Sequence, residues 1–185
     1  MTTFSRRGFI TTAVAPLALA ACGNGINSKG APTIDARVDS ALEFLYSDVD
    51  GAQRLADTAA GVLVMPLITE AGFGFGAGFG RGALRVGGAT VDYYSAANAS
   101  FGLQIGAQQY AHALFFMTEE ALNNFRSGPG WAAGADLEYA LSGQGDSVSA
   151  DTTSALDPVI AVIFGQAGLI AGASLEGTKY TRIIP

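Results

Sequence analysis

The sequence predicts an α+β fold rich in strands: a barrel-like or sandwiched antiparallel sheet, a long N-terminal amphipathic helix and one short helix. Three observations predict it. Hydrophobic residues make up 49% of the chain, charged residues only 14%, and 25 of its 185 residues are glycine. That composition suits close backbone packing in a sheet more than a helical bundle. Apolar residues recur at spacings of three and four over Ile34–Ala60, the pattern of an amphipathic helix. Elsewhere the period is two, with turn signals between runs, and roughly seven or eight strands result.

In the first helix Val38, Leu42, Leu45, Val49, Ala52, Leu55 and Ala56 form the apolar stripe. The other face carries Asp35, Asp39, Glu43, Asp48, Asp50 and Asp57 against Arg37 and Arg54, and Gly51 is a candidate break. A helix lying on lipid usually has a basic polar face, so this acidic one reads as a core-packing helix.

Gly61–Leu67 (GVLVMPL) reads as a buried strand ending at Pro66. Ala71–Val86 (AGFGFGAGFGRGALRV) then alternates Gly72, Gly74, Gly76, Gly78, Gly80 and Gly82 with larger residues. At strand period this leaves one face as bare backbone. Each glycine costs roughly 0.5–1 kcal/mol relative to alanine, so something must approach that face: a sheet, a helix or a ligand. It is not a dinucleotide loop, because no strand–turn–helix context surrounds the glycines.

Gly87-Gly88 reads as a hairpin turn between Ala83–Val86 and Thr90–Tyr94. Ser100–Phe116 reads as a long strand holding His112, expected to be a hydrogen-bonded structural histidine. Thr118 is placed to cap a short helix, with Glu119 and Glu120 in the first turn and Arg126 in the last, which complements the helix dipole. Trp131–Leu141 alternates as one strand, and Ser142–Ser154 is a polar loop. Val159–Phe164 and Gly168–Leu175 read as strands around a turn at residues 165–167, and Thr178–Ile184 closes the sheet.

The first 21 residues read as an export signal. SRRGFI at Ser5–Ile10, with Arg6 and Arg7, resembles a twin-arginine signal. Leu19-Ala20-Ala21-Cys22 resembles a lipobox, which makes Cys22 the lipidated mature N-terminus. The apolar run Phe9–Ala21 is too short for a bilayer span of about 20 residues. Residues 22–35 follow as a flexible tether and 36–185 as the folded domain. The expected location is a bacterial membrane facing the periplasm or exterior, the outer membrane in a two-membrane cell because Gly23 follows the cysteine.

Removing Arg6 and Arg7 from the 10 basic residues leaves eight against 16 acidic, a charge of −8. Such a surface repels phosphate backbones, so nucleic acid is not an expected partner. With one cysteine and one histidine, neither a disulfide nor a His/Cys metal centre can be built. No cofactor and no enzymatic activity are expected. No GxSxG elbow accompanies His112, and Asp136 and Glu138 read as a solvated strand face.

The strings GVLVMP, AGFGFGAGFGRGALRV, ASFGLQIGAQQYAHALFFMTEEAL, FRSGPGWAAGAD and AGLIAGASLEGTK resemble the SYLF domain family from about Ala36 to Ile184. The resemblance implies a lipid-binding module. Eukaryotic members bind phosphoinositides and membranes, some bind actin filaments, and bacterial members are often envelope lipoproteins. Those eukaryotic members lean on a basic N-terminal helix, whereas the helix here is acidic.

The expected function is non-enzymatic: a lipid-binding, membrane-associated lipoprotein, or alternatively a structural or protein-interaction lipoprotein of the envelope. Expected partners are membrane phospholipid and possibly an envelope protein. Arg81, Arg85, Lys179 and Arg182 are the candidate headgroup contacts. The strand surface at Gly72, Gly74, Gly76 and Gly78 is the candidate contact face. The acidic balance predicts binding mainly through apolar contact, with little loss at raised salt.

Overall fold

One long hairpin builds the sheet. The computed structural model describes residues 29–128, 130–133, 138–141, 158–168, 175 and 177–185. Strand β1 (Gly61–Val86) and strand β2 (Ala89–Phe116) pair antiparallel along their whole length. Gly87 and Gly88 join them with φ of 57° and 81°, as a two-residue turn of the primed type requires.

The other edge of β2 is shared. Near the turn it pairs with β6 (Lys179–Ile183), and at its far end with β5 (Val159–Gly168), both antiparallel. β3 (Trp131–Ala132) joins β6, and β4 (Glu138–Leu141) joins β5 in parallel. The result is a curled half-barrel that is antiparallel but for β4.

Helices cover both faces. α1 (Gly30–Asp48) and α2 (Ala52–Thr58) break at Gly51, whose φ of 90° suits only glycine comfortably. Ile34, Val38, Leu45, Val49 and Leu55 pack on outer-face residues Val62, Val64, Ala83, Ala113, Phe115 and Val162. Inside the curl lie Leu63, Met65, Leu84, Tyr94, Leu114, Phe116 and Tyr180, capped by Leu122 and Phe125 of α3 (Glu119–Ser127). Thr118 caps α3 by accepting from the Ala121 amide at 3.1 Å, as its sequence predicts.

Several expectations are corrected. Residues 30–35 are helix rather than tether, because Pro32 falls in the first turn, where the backbone N–H has no helical acceptor to lose. Pro66 does not end a strand. The register shifts between Met65 and Ile68, so that Pro66 and Leu67 lie opposite Ala111 alone, a bulge that tolerates the missing N–H. Thr90–Tyr94 and Ser100–Phe116, read as separate strands, are one continuous β2. Gly165 is not a turn but a second bulge: Gly165 and Gln166 face Tyr110 alone, with Gly165 at φ 61°. Trp131–Leu141 is two strands on different neighbours. The predicted strand Gly168–Leu175 and the loop Ser142–Ser154 fall mainly on residues outside those described.

At Gly80 and Gly82 the bare glycine face is covered by the strand's own first half. A Cβ on Gly82 would overlap the Val64 carbonyl oxygen and come within 2.6 Å of Met65 Sδ. One on Gly80 would overlap the Leu67 carbonyl oxygen and Ile68 Cδ1, and one on Gly78 the Asn98 side chain. β1 therefore curls across itself, and glycine permits that approach.

Candidate functional site

The two bulges lie against the same stretch of β2, Tyr110 and Ala111, beside α1. A groove of about 1180 Å³ opens between sheet and helix. Its floor is Pro66, Leu67, Tyr110, Ala111, Phe164 and Gly165. Its wall is one stripe of α1, in which Lys29, Thr33, Ala36, Arg37, Ser40, Ala41 and Phe44 recur at helical spacing. A shallower depression of about 480 Å³ shares Lys29, Thr33, Arg37, Pro66 and Leu67 and continues to Phe79 and Arg81.

The character of this surface is set by three exposed apolar side chains and three cations. Phe44, Leu67 and Phe79 are 45%, 40% and 52% exposed, and only Val91 and Ile184 match them among the described residues. Lys29, Arg37 and Arg81 stand at the rim, with the Arg81 guanidinium 5.9 Å from the centre of the Phe79 ring. Among the described residues no Asp or Glu lines either depression, although acidic residues outnumber basic ones 16 to 10 in the chain.

The four predicted headgroup contacts divide. Arg81 belongs to the rim. Lys179 is exposed on the same outer face, where the row Phe79–Ala97–Lys179 lies beside the row Arg81–Ser95–Thr181. Arg85 instead clamps α1: its Nη2 donates to Asp39 Oδ1 at 2.6 Å and lies 3.7 Å from Asp35 Oδ1. Arg182 sits 3.5 Å from Asp92, which also pairs with Arg126 at 3.0 Å, so the two arginines tie β6 and α3 to β2. Of the predicted glycine surface, Gly76 and Gly78 are buried and Gly72 is half-buried, while Gly74 stands at a register shift between Phe73 and Phe75. Arg6, Arg7 and Cys22 lie outside the described residues.

His112 is fully buried, and its Nε2 shares a hydrogen bond with the Tyr180 hydroxyl at 2.8 Å. Burial lowers its pKa to about 3, which leaves it neutral at physiological pH.

Sequence reasoning missed Lys29, Arg37, Phe44 and Leu67. Lys29 reads as tether and Arg37 as one charge on an acidic face. The signal for the others was present: Phe44 lies off the apolar stripe of α1, and Leu67 follows a proline inside a strand.

These features define a strand-rich half-barrel whose covering helix and bulged strands enclose an apolar groove with a cationic rim. Residues 97–182, just under half of the chain, match the SYLF-domain family model described as Ysc84: Las17-binding protein actin regulator. The matched segment runs from within β2 to β6 and supplies Tyr110, Ala111, Phe164 and Gly165 of the groove floor. The cations and exposed aromatics lie before it, on α1 and β1. No curated protein matches the chain.

Proposed function

We propose that this protein is a non-enzymatic lipid-binding domain that works at a membrane surface, exported on its Arg6-Arg7 signal and anchored through acylated Cys22. The observation that carries the binding reading is the gathering of Phe44, Leu67 and Phe79 with Lys29, Arg37 and Arg81 around one groove, which no Asp or Glu lines among the described residues. Apolar side chains of this size each contribute about 1.5–3 kcal/mol when removed from water. The cations add local attraction to anionic headgroups against an unfavourable overall charge, and salt screens that attraction over about 8–10 Å. The chemistry of this arrangement is burial and charge pairing.

The full chain carrying Cys22→Ser, and so lacking acyl groups, should pellet with phosphatidylglycerol vesicles. Raising salt from 50 to 500 mM should remove part of that binding and leave an apolar remainder. Serine at Phe44, Leu67 and Phe79 together should abolish the remainder. Unchanged pelleting of that triple variant, or no pelleting of the parent at either salt, contradicts the reading. In cells, the same Cys22→Ser change should free the protein from the membrane fraction.

Protein interaction is the second reading, favoured by the family description, which names a protein ligand of family members. On that reading the same exposed aromatics would receive an envelope protein, and cross-linking in detergent extracts would trap it while vesicle binding is absent.

A further inference from the structure

Membrane adhesion needs only an exposed greasy patch, whereas this groove is a trough with two ends. At one end stand Phe44 and Phe164, whose rings stack with centroids 6.3 Å apart and planes 21° apart. The other end opens at the N-terminus of α1, between Lys29 and Arg37, with Arg81 beyond in the adjoining depression. Between them the helix wall offers Ala36, Ser40 and Ala41, and the floor offers Ala111 and Gly165, so the middle stays open. At 1.5 Å per residue, the run along α1 from Thr33 to Phe44 is about 16 Å, the reach of a medium-length acyl chain.

Charge is graded along the trough. The first turn of α1 contains no acidic residue, so the positive end of its dipole adds to the three cations. At the Phe44 end the lining is aromatic and aliphatic. On this ground we infer that the trough seats the single hydrocarbon chain of a fatty-acid-like amphiphile, methyl end against Phe44 and Phe164, carboxylate at Lys29, Arg37 and Arg81. The inference rests on the lipid-binding reading and narrows it to a monoacyl anionic ligand taken up one at a time. The smaller recess beside Asp39, Asp57 and Arg85 is lined by carboxylates and does not suit an anion.

The test is calorimetric titration of the full Cys22→Ser chain with laurate below its micelle concentration, beside vesicle pelleting of the same sample. One laurate should bind per chain. Ala36→Trp and Ser40→Trp, at exposed helix positions that line the trough, should each weaken laurate at least tenfold at unchanged melting temperature. Paired Arg37→Gln and Arg81→Gln should weaken laurate several-fold while dodecanol binding holds. Vesicle pelleting without laurate binding, or laurate binding indifferent to both tryptophans, overturns the inference and leaves the membrane reading standing. Loss of both laurate and vesicle binding in the parent overturns the two together.

Discussion

At Gly82 a single added methyl group meets backbone. The Val64 carbonyl oxygen occupies the space where a Cβ would stand, and backbone cannot swing aside as a long side chain can. Gly82→Ala should therefore cost about 1–3 kcal/mol, the usual penalty of overpacking, and Gly80→Ala should behave alike. Ala77→Val, on the exposed face of the same strand, should leave the melting temperature nearly unchanged; equal melting of all three variants would show that β1 does not curl on itself. His112 sets a second residue-scale expectation. Its pKa is about 3 in the fold and near 6.5 when unfolded. The unfolded chain thus takes up the proton first as pH falls, and stability drops between pH 6.5 and 3. The loss reaches about 2 kcal/mol at pH 5. Replacing His112 with Gln, which keeps a polar group near Tyr180, should flatten that part of the stability–pH curve, and an unaltered slope would assign the loss to other groups.

At the scale of elements, α1 walls the groove, and Asp35 and Asp39 tie it to the sheet. Asp35 accepts from Thr90 Oγ1 and from the Tyr93 hydroxyl, both at 2.8 Å, beside Arg85. Asp35→Ala strands two partly buried donors, which typically costs about 1–3 kcal/mol. Asp39→Ala removes only a largely exposed partner of Arg85 and should cost under about 1 kcal/mol. Thermal melts of the two variants compare the predictions, and a larger loss at Asp39 would contradict them. Helix identity was legible in the sequence because the stripe from Val38 to Leu55 obeys one period and Gly51 marks its break. Strand extent was not. Pro66 and Gly165 carry turn signals, yet both are absorbed as bulges because β2 offers one residue where its neighbours offer two. Local turn chemistry does not disclose that neighbour.

At the scale of the whole molecule, the chain is acidic overall but keeps beside one helix a cation-rimmed groove that no Asp or Glu lines among the described residues. The sequence shows the balance and hides the segregation, since Lys29, Arg37 and Arg81 come together only when β1 curls under α1. Arg81 was legible as a candidate because it lies in the glycine strand. Arg85, four residues on, looked equivalent and shares the face of Arg81, yet it lies against Asp35 and Asp39 of α1 and pairs with them. The glycine face likewise signalled a close approach without naming its cover, and that cover is the chain itself.

The central claim is that the surface around Phe79, Leu67 and Phe44 enters lipid. A tryptophan placed at Phe79 reports this directly, since residue 79 is more than half exposed and adjoins Arg81. The native Trp131 packs against Phe125 and Tyr180 and serves as an internal reference. With phosphatidylglycerol vesicles, emission of the Phe79→Trp chain should shift to the blue and be quenched by brominated acyl chains, while the parent's Trp131 emission stays unchanged. Tryptophan at residue 79 that keeps its aqueous emission and escapes the bromine, while the protein still pellets with the vesicles, would contradict the claim.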